Sequence, residues 1–130
     1  MDSTIEKNIL LVDDDALVLK SIRVLLEQQG YRVICAKSSA EARDKIKAER
    51  VNLIISDIRM PKVNGVEAIN YFQQQYPRVP LIVLTGFPDM DMATGFLKQG
   101  IVDYLVKPVE KEKLINSVAK AMGQRDLNRL

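Results

Sequence analysis

Histidine is absent from this 130-residue chain, and so is tryptophan. Without an imidazole the chain can build no histidine-ligated zinc site, no Ser-His-Asp triad and no phosphohistidine of its own. If phosphoryl groups matter here, they arrive from another molecule. The single cysteine, Cys35, cannot form an internal disulfide; it lies in the apolar stretch from Arg32 to Ala36 and reads as core filler in a reducing compartment. No window approaches the roughly eighteen apolar residues of a membrane span, and the polar start MDSTIEKN carries no apolar signal region. A cytoplasmic protein with no membrane partner is expected. Charge of one sign is also missing: nineteen basic against seventeen acidic residues leave +2, with no dense Lys/Arg run, so this chain is not expected to bind nucleic acid directly.

What is present is the makeup of one globular domain, with 47% hydrophobic and 28% charged residues. Ile9 to Val12 is a short apolar run ending in Asp13, Asp14 and Asp15, which reads as a buried strand and its terminal loop. A helix follows from Ala16 to Gln29, with Val18, Ile22, Leu25 and Leu26 facing a core and Gly30 as its stop. Leu17, Ser21 and Val24 form a second, weaker stripe, readable either as ordinary surface or as a docking face. Tyr31 to Ala36 is a second strand, interrupted by Arg32. Ser38 and Glu41 make a capping box that opens a helix to about Arg50, with Ala42 and Ile46 inward.

Strand three is Val51 to Ser56, leading to Asp57, a loop over Ile58 to Asn64 that holds Pro61, and a helix from Gly65 with Val66, Ile69 and Phe72 on one side. Leu81 to Leu84 is the fourth strand, ending in Thr85. Pro88, Asp89 and Asp91 suit the start of a fourth helix, and Gly95 inside it predicts the softest helix of the set. Ile101 to Val106 is the fifth strand, broken by Asp103. Lys107 and Pro108 follow it, and a last helix from Lys111 to Met122 turns Leu114, Ile115, Val118 and Met122 inward. Strands alternating with helices predict an α/β fold with a parallel sheet and right-handed crossovers. The near-continuous apolar strands one, three and four belong in the middle, and the interrupted strands two and five at the edges. The expectation is a doubly wound, flavodoxin-like five-stranded sheet of order 2-1-3-4-5 with five flanking helices, spanning 7–123 between tails at 1–6 and 124–130.

Asp57, taken alone, reads as a solvated residue starting a strand-to-helix loop. The other strand ends change its weight. In a parallel sheet all carboxyl ends share one side, where ligands bind in open α/β folds. The residues just past strands one, three, four and five are Asp13 and Asp14, Asp57, Thr85, and Lys107. Carboxylates that close repel by about 4 kcal/mol per pair near 4 Å at an effective dielectric of 20. Lys107 can neutralise one charge, and a hard divalent cation, Mg²⁺ before others, would neutralise more. A cation beside a carboxylate nucleophile suggests phosphoryl transfer. Asp57 would attack in line, Lys107 would hold the transferring group, and Thr85 would donate to a phosphoryl oxygen.

LLVDDD at 10–15, SDIRMPKVNG at 56–65, LTG at 84–86 and YLVKP at 104–108 resemble the receiver domain of bacterial two-component response regulators, over about Lys7 to Met122. The resemblance implies that Asp57 accepts a phosphoryl group from a partner histidine kinase or phosphotransfer protein. It implies Mg²⁺ held by Asp13, Asp14, Asp57 and the backbone carbonyl of Arg59, Lys107 on the phosphoryl group, and a cis bond between Lys107 and Pro108. It also implies a switch in which Thr85 moves toward the phosphoryl group and Tyr104 turns inward. That switch remodels the face of the fourth helix, fifth strand and fifth helix, where a homodimer could form.

Val109 stands where Phe is frequent in the family, and Arg59 and Phe87 occupy positions that tune phosphate lifetime, the bulk of Phe87 predicting slow self-dephosphorylation. Such a module is no conventional enzyme, since it catalyses only its own phosphorylation and dephosphorylation. Two rivals are an unphosphorylated pseudo-receiver scaffold, which would have lost an acid or the lysine, and a metal-dependent phosphatase, which would want a second acid/base group where Arg59 stands. No output domain is legible. The chain reads as a stand-alone regulator acting on an effector or as a piece of a longer protein, with the second slightly favoured.

Overall fold

The computed structural model describes residues 7–60 and 63–128. Five parallel strands form the main sheet: β1 (Asn8–Val12), β2 (Arg32–Ala36), β3 (Leu53–Asp57), β6 (Leu81–Thr85) and β7 (Asp103–Val106). Between β3 and the third helix, β4 (Arg59–Met60) and β5 (Val63–Asn64) pair antiparallel, Arg59 with Asn64 and Met60 with Val63. The expected loop thus folds back on itself, and its Pro61 lies outside the described residues. The sheet order is β2-β1-β3-β6-β7, which is 2-1-3-4-5 when the sheet strands are counted alone. The interrupted strands do sit at the edges, because central strands covered on both faces have no place for an unpaired charged side chain along their middle.

The helices are α1 (Ala16–Gln28), α2 (Ser39–Ala48), α3 (Gly65–Gln75), α4 (Met90–Lys98) and α5 (Lys111–Asn128). Alternation along the strands sends Leu10, Val12, Ile54 and Val83 to a core layer with Ile46, Phe72 and Phe96 of α2, α3 and α4. Ile9, Leu11, Ile55 and Leu84 go to the opposite layer, with Leu26 of α1 and Leu114 of α5. Each fully buried Leu, Ile or Phe is worth about 1.5–3 kcal/mol of transfer free energy. Among the described residues no helix is long and apolar enough to cross a membrane.

Two helices end in the same way. Gly30 and Gly100 take φ of 94° and 101°, left-handed values that cost glycine least. Tyr31 N–H then donates to Leu26 O, and Ile101 N–H to Phe96 O, the closing bonds of Schellman motifs. Those stops let α1 and α4 turn back into β2 and β7.

Several boundaries and faces differ from the sequence reading. In α1 the buried residues are Leu19, Ile22 and Leu26, with Val18 and Leu25 half-buried. Both sets have helical spacing, and contact with the sheet selects between them. In α5, Leu114, Val118 and Met122 are buried while Ile115 is half-buried, and the helix runs on through Asn128. Ser38 Oγ accepts from Glu41 N–H, but Glu41 returns its bond to Lys37 N–H, one residue before the expected partner. Asp89, after Pro88, is the N-cap of α4 and accepts from Met92 N–H. β3 begins at Leu53 and includes Asp57, which pairs opposite Leu84.

Candidate functional site

The strand order reverses between β1 and β3, and Asp13 and Asp57 flank that point. Asp13 is fully buried and Asp57 is 2% exposed, whereas Asp14 between them in the acidic set faces solvent. The solvated reading of Asp57 is therefore wrong. Two buried carboxylates side by side need a cation, and β7 delivers it from 50 residues away. Lys107 Nζ donates to Asp57 Oδ2 and to Asp13 Oδ2, each at 2.9 Å. Lys107 is held in turn by its own N–H, which donates to Thr85 O at 2.7 Å, and its bond to Pro108 is cis. The sequence reading gave Lys107 one carboxylate to neutralise; it bridges two.

Burial pushes the Asp13 carboxyl above its ordinary value, against the pull of the Lys107 hydrogen bond and the Asp15 N–H. Burial acts to lower the Lys107 ammonium, but the hydrogen bonds and charges of Asp13 and Asp57 outweigh it, so the net shift is upward. Asp13, Asp14 and Asp57 each bring a carboxylate oxygen to within 4.8 Å of the others. Three carboxylate oxygens so placed form an all-oxygen donor set that suits a hard divalent cation, and Mg²⁺ fits it.

Thr85, at the end of β6, is fully buried, and its Oγ1 accepts from Phe87 N–H at 3.0 Å. Tyr104 on β7 is half-buried against the α2–α3–α4 layer, and its hydroxyl accepts from Asp89 N–H at 3.4 Å. Two side chains thus hold the loop that carries α4. Arg59 lies in β4, just beyond the Asp57 end of β3. Past Lys107, a cleft of about 450 Å³ opens between α1 and the Pro108–Val109 turn. Leu17, 75% exposed, and Ser21 line it with Val18, Ile22 and Leu25; Val24, the third member of the expected stripe, does not.

Two contributors escaped the sequence reading. Ser56, fully buried, donates from Oγ to Asp57 O at 3.0 Å. Asp15 caps α1 and gives its N–H to Asp13 Oδ1 at 2.9 Å. The second was findable, since an Asp directly before a helix is an N-cap signal.

The doubly wound sheet thus carries an acid–lysine cluster at its switch point, where open α/β folds bind ligands. The family model described as response regulator receiver domain matches residues 9–119, and the chain belongs to that family. Over 120 residues it is 38% identical to the phosphoglycerate transport system transcriptional regulatory protein PgtA of Salmonella typhimurium, covering 92% of this chain but only 29% of that protein. A solved receiver domain from Clostridium thermocellum superposes with a TM-score of 0.86 at 32% identity, covering 93% of this chain and 98% of the other. The beryllofluoride-activated NtrC4 receiver domain dimer gives 0.85 at 31% identity, covering 91% of this chain and 98% of that one.

Proposed function

We propose that the chain is a phosphorylation-controlled receiver in which Asp57 takes a phosphoryl group from a phosphohistidine of a partner kinase or phosphotransfer protein. The observation that carries this reading is the buried Asp57 carboxylate, bonded to Lys107 and sharing it with Asp13. A carboxylate oxygen of Asp57 forms the new P–O bond as the donor's P–N bond breaks, its electron pair staying on the imidazole nitrogen. No proton need leave Asp57, which suits a chain without histidine. Lys107 turns part of its ammonium toward the incoming phosphoryl oxygens. Asp13, Asp14 and Asp57, with the Arg59 carbonyl, would hold Mg²⁺, whose charge offsets that of the transferring group.

The readout follows from the same residues. When Thr85 Oγ1 turns to a phosphoryl oxygen it releases Phe87 N–H, and Tyr104 moves inward from Asp89, loosening the start of α4. The α4–β7–α5 face, where Met90 is 81%, Leu97 49% and Val106 45% exposed, is the surface so remodelled and the place for a second copy or an effector. The cleft beside Lys107 offers the donor protein an apolar seat next to the phosphoacceptor. The cytoplasmic location expected above belongs to the same reading, as does an output domain elsewhere in a longer protein.

The test is chemical. Incubated with Mg²⁺ and a phosphorylated histidine kinase, the chain gains an acid-labile, hydroxylamine-sensitive label, the signature of an acyl phosphate. Asp57→Asn and Asp57→Ala lose it, and persistent labelling of either variant refutes the assignment.

A further inference from the structure

We propose that Asp15 is a positioning residue for the cation site, acting through its cap on α1 and not through its charge; the proposal rests on the reading of Asp13 and Asp14 as cation ligands. Two side-chain-to-backbone bonds interlock here. Asp13 Oδ1 accepts from Asp15 N–H at 2.9 Å, a turn that encloses Asp14. Asp15 Oδ1 then accepts from Leu17 N–H at 2.9 Å and Val18 N–H at 3.4 Å, with Asp15 itself at φ −89° and ψ 111°, the extended backbone of an N-cap.

The consequence runs from helix to site. The cap fixes the direction of the Asp15 N–H, that N–H fixes one Asp13 oxygen, and Lys107 fixes the other. Asp14 is carried between the two anchored residues, so its carboxylate is aimed by the same turn. Asp15 is exposed, and the high dielectric of the water around it weakens the effect of its charge on the buried pair. Its capping oxygen is what the site depends on. Asparagine supplies that oxygen without the charge; glutamate keeps the charge but is one methylene too long for the cap.

The experiment is a titration of the 130-residue chain with MgCl₂, followed by ¹H–¹⁵N NMR, which reads binding directly and needs no phosphoryl donor. The dissociation constant rises about tenfold in Asp15→Ala, the low end of the cost of losing a group that orients metal ligands. Asp15→Asn stays within about twofold of the parent, and Asp15→Glu follows Asp15→Ala. In Asp15→Ala and Asp15→Glu, but not in Asp15→Asn, the residue-15 amide resonance also leaves its hydrogen-bonded position. An unchanged constant in Asp15→Ala, or an Asp15→Asn as weak as Asp15→Ala, overturns the proposal. If the parent chain shows no saturable Mg²⁺ response, the cation reading itself fails, and this proposal with it.

Discussion

Replacing Lys107 by Met removes the ammonium while keeping an unbranched apolar stem, and so isolates what the cation does for the fold. In the folded chain Asp13 is fully buried and Asp57 nearly so, and Lys107 is hydrogen-bonded to both. Deleting one partner of a buried ion pair leaves an uncompensated charge and costs about 3–5 kcal/mol. The Lys107 side chain is 20% exposed, so some solvent reaches the site and the lower end, about 3 kcal/mol, is expected. The assay is urea unfolding by far-UV circular dichroism at pH 7 with EDTA, where the midpoint falls by about 1 M or more.

The pH dependence carries its own sign. Burial already raises the Asp13 carboxyl, and losing the Lys107 hydrogen bond and charge raises it further. A carboxyl with a folded value above the unfolded one destabilises the fold at pH above both. The variant's deficit is therefore full at neutral pH and fades as pH falls through the folded Asp13 value toward about 3.9. At the other end, the Lys107 contribution is complete below the ordinary lysine value of about 10.4 and is lost as pH rises through its raised folded value. MgCl₂ should restore part of the lost stability, by supplying the charge that the lysine no longer does. A variant as stable as the parent at pH 7 in EDTA, or a deficit unchanged at pH 4, refutes the account of Lys107 as the counterion of a buried pair.

Two further tests address α4 and the loop that leads into it. Gly95→Ala in α4 should stabilise by about 1 kcal/mol in the same urea assay, since the added methyl meets nothing within 4 Å and glycine is the poorer helix former, whereas Gly100→Ala, at φ 101°, should destabilise by about as much. Phe87, 63% exposed at the rim beyond Thr85, is expected to restrict water at the acyl phosphate; Phe87→Ala should shorten the half-life of labelled chain severalfold after donor removal, and an unchanged or longer half-life sinks that role.

The parts of the fold that were legible are those written in local pattern. Apolar runs at Ile9–Val12 and Leu81–Leu84 could only be central strands, and Arg32 and Asp103 could only be tolerated at edges. The α1 face was legible in part: of the expected Val18, Ile22, Leu25 and Leu26, Ile22 and Leu26 are buried and the other two pack half-buried against the core, while Leu19 was missed because it shares the helical spacing. Packing against the sheet takes Leu19, Ile22 and Leu26 and leaves half-buried Val18 and Leu25 to line the cleft beside Lys107. Val18 and Leu25 thus pack against the core on one side and line that apolar cleft on the other.

The chemistry of the site divides along the same line. Which residues end the strands was readable, because a parallel sheet puts all those ends on one side. Whether Asp57 is solvated was not, since that depends on a cation 50 residues away in sequence reaching it and on the pairing of its strand with β6, where it lies opposite Leu84. A carboxylate that ends a strand in water is a weak, screened nucleophile with no reason to report its charge to distant elements. One that is buried beside Asp13 and tied to Lys107 would change the balance of the whole cluster on phosphorylation, as a singly charged carboxylate becomes an acyl phosphate of about −1.5 to −2. Lys107 N–H is bonded to Thr85 O, and Thr85 Oγ1 to the N–H of Phe87, so under the proposed function that change would fall first on the loop leading into α4. The burial that makes Asp57 costly in the resting fold is what would give its proposed phosphorylation leverage over the rest of the domain.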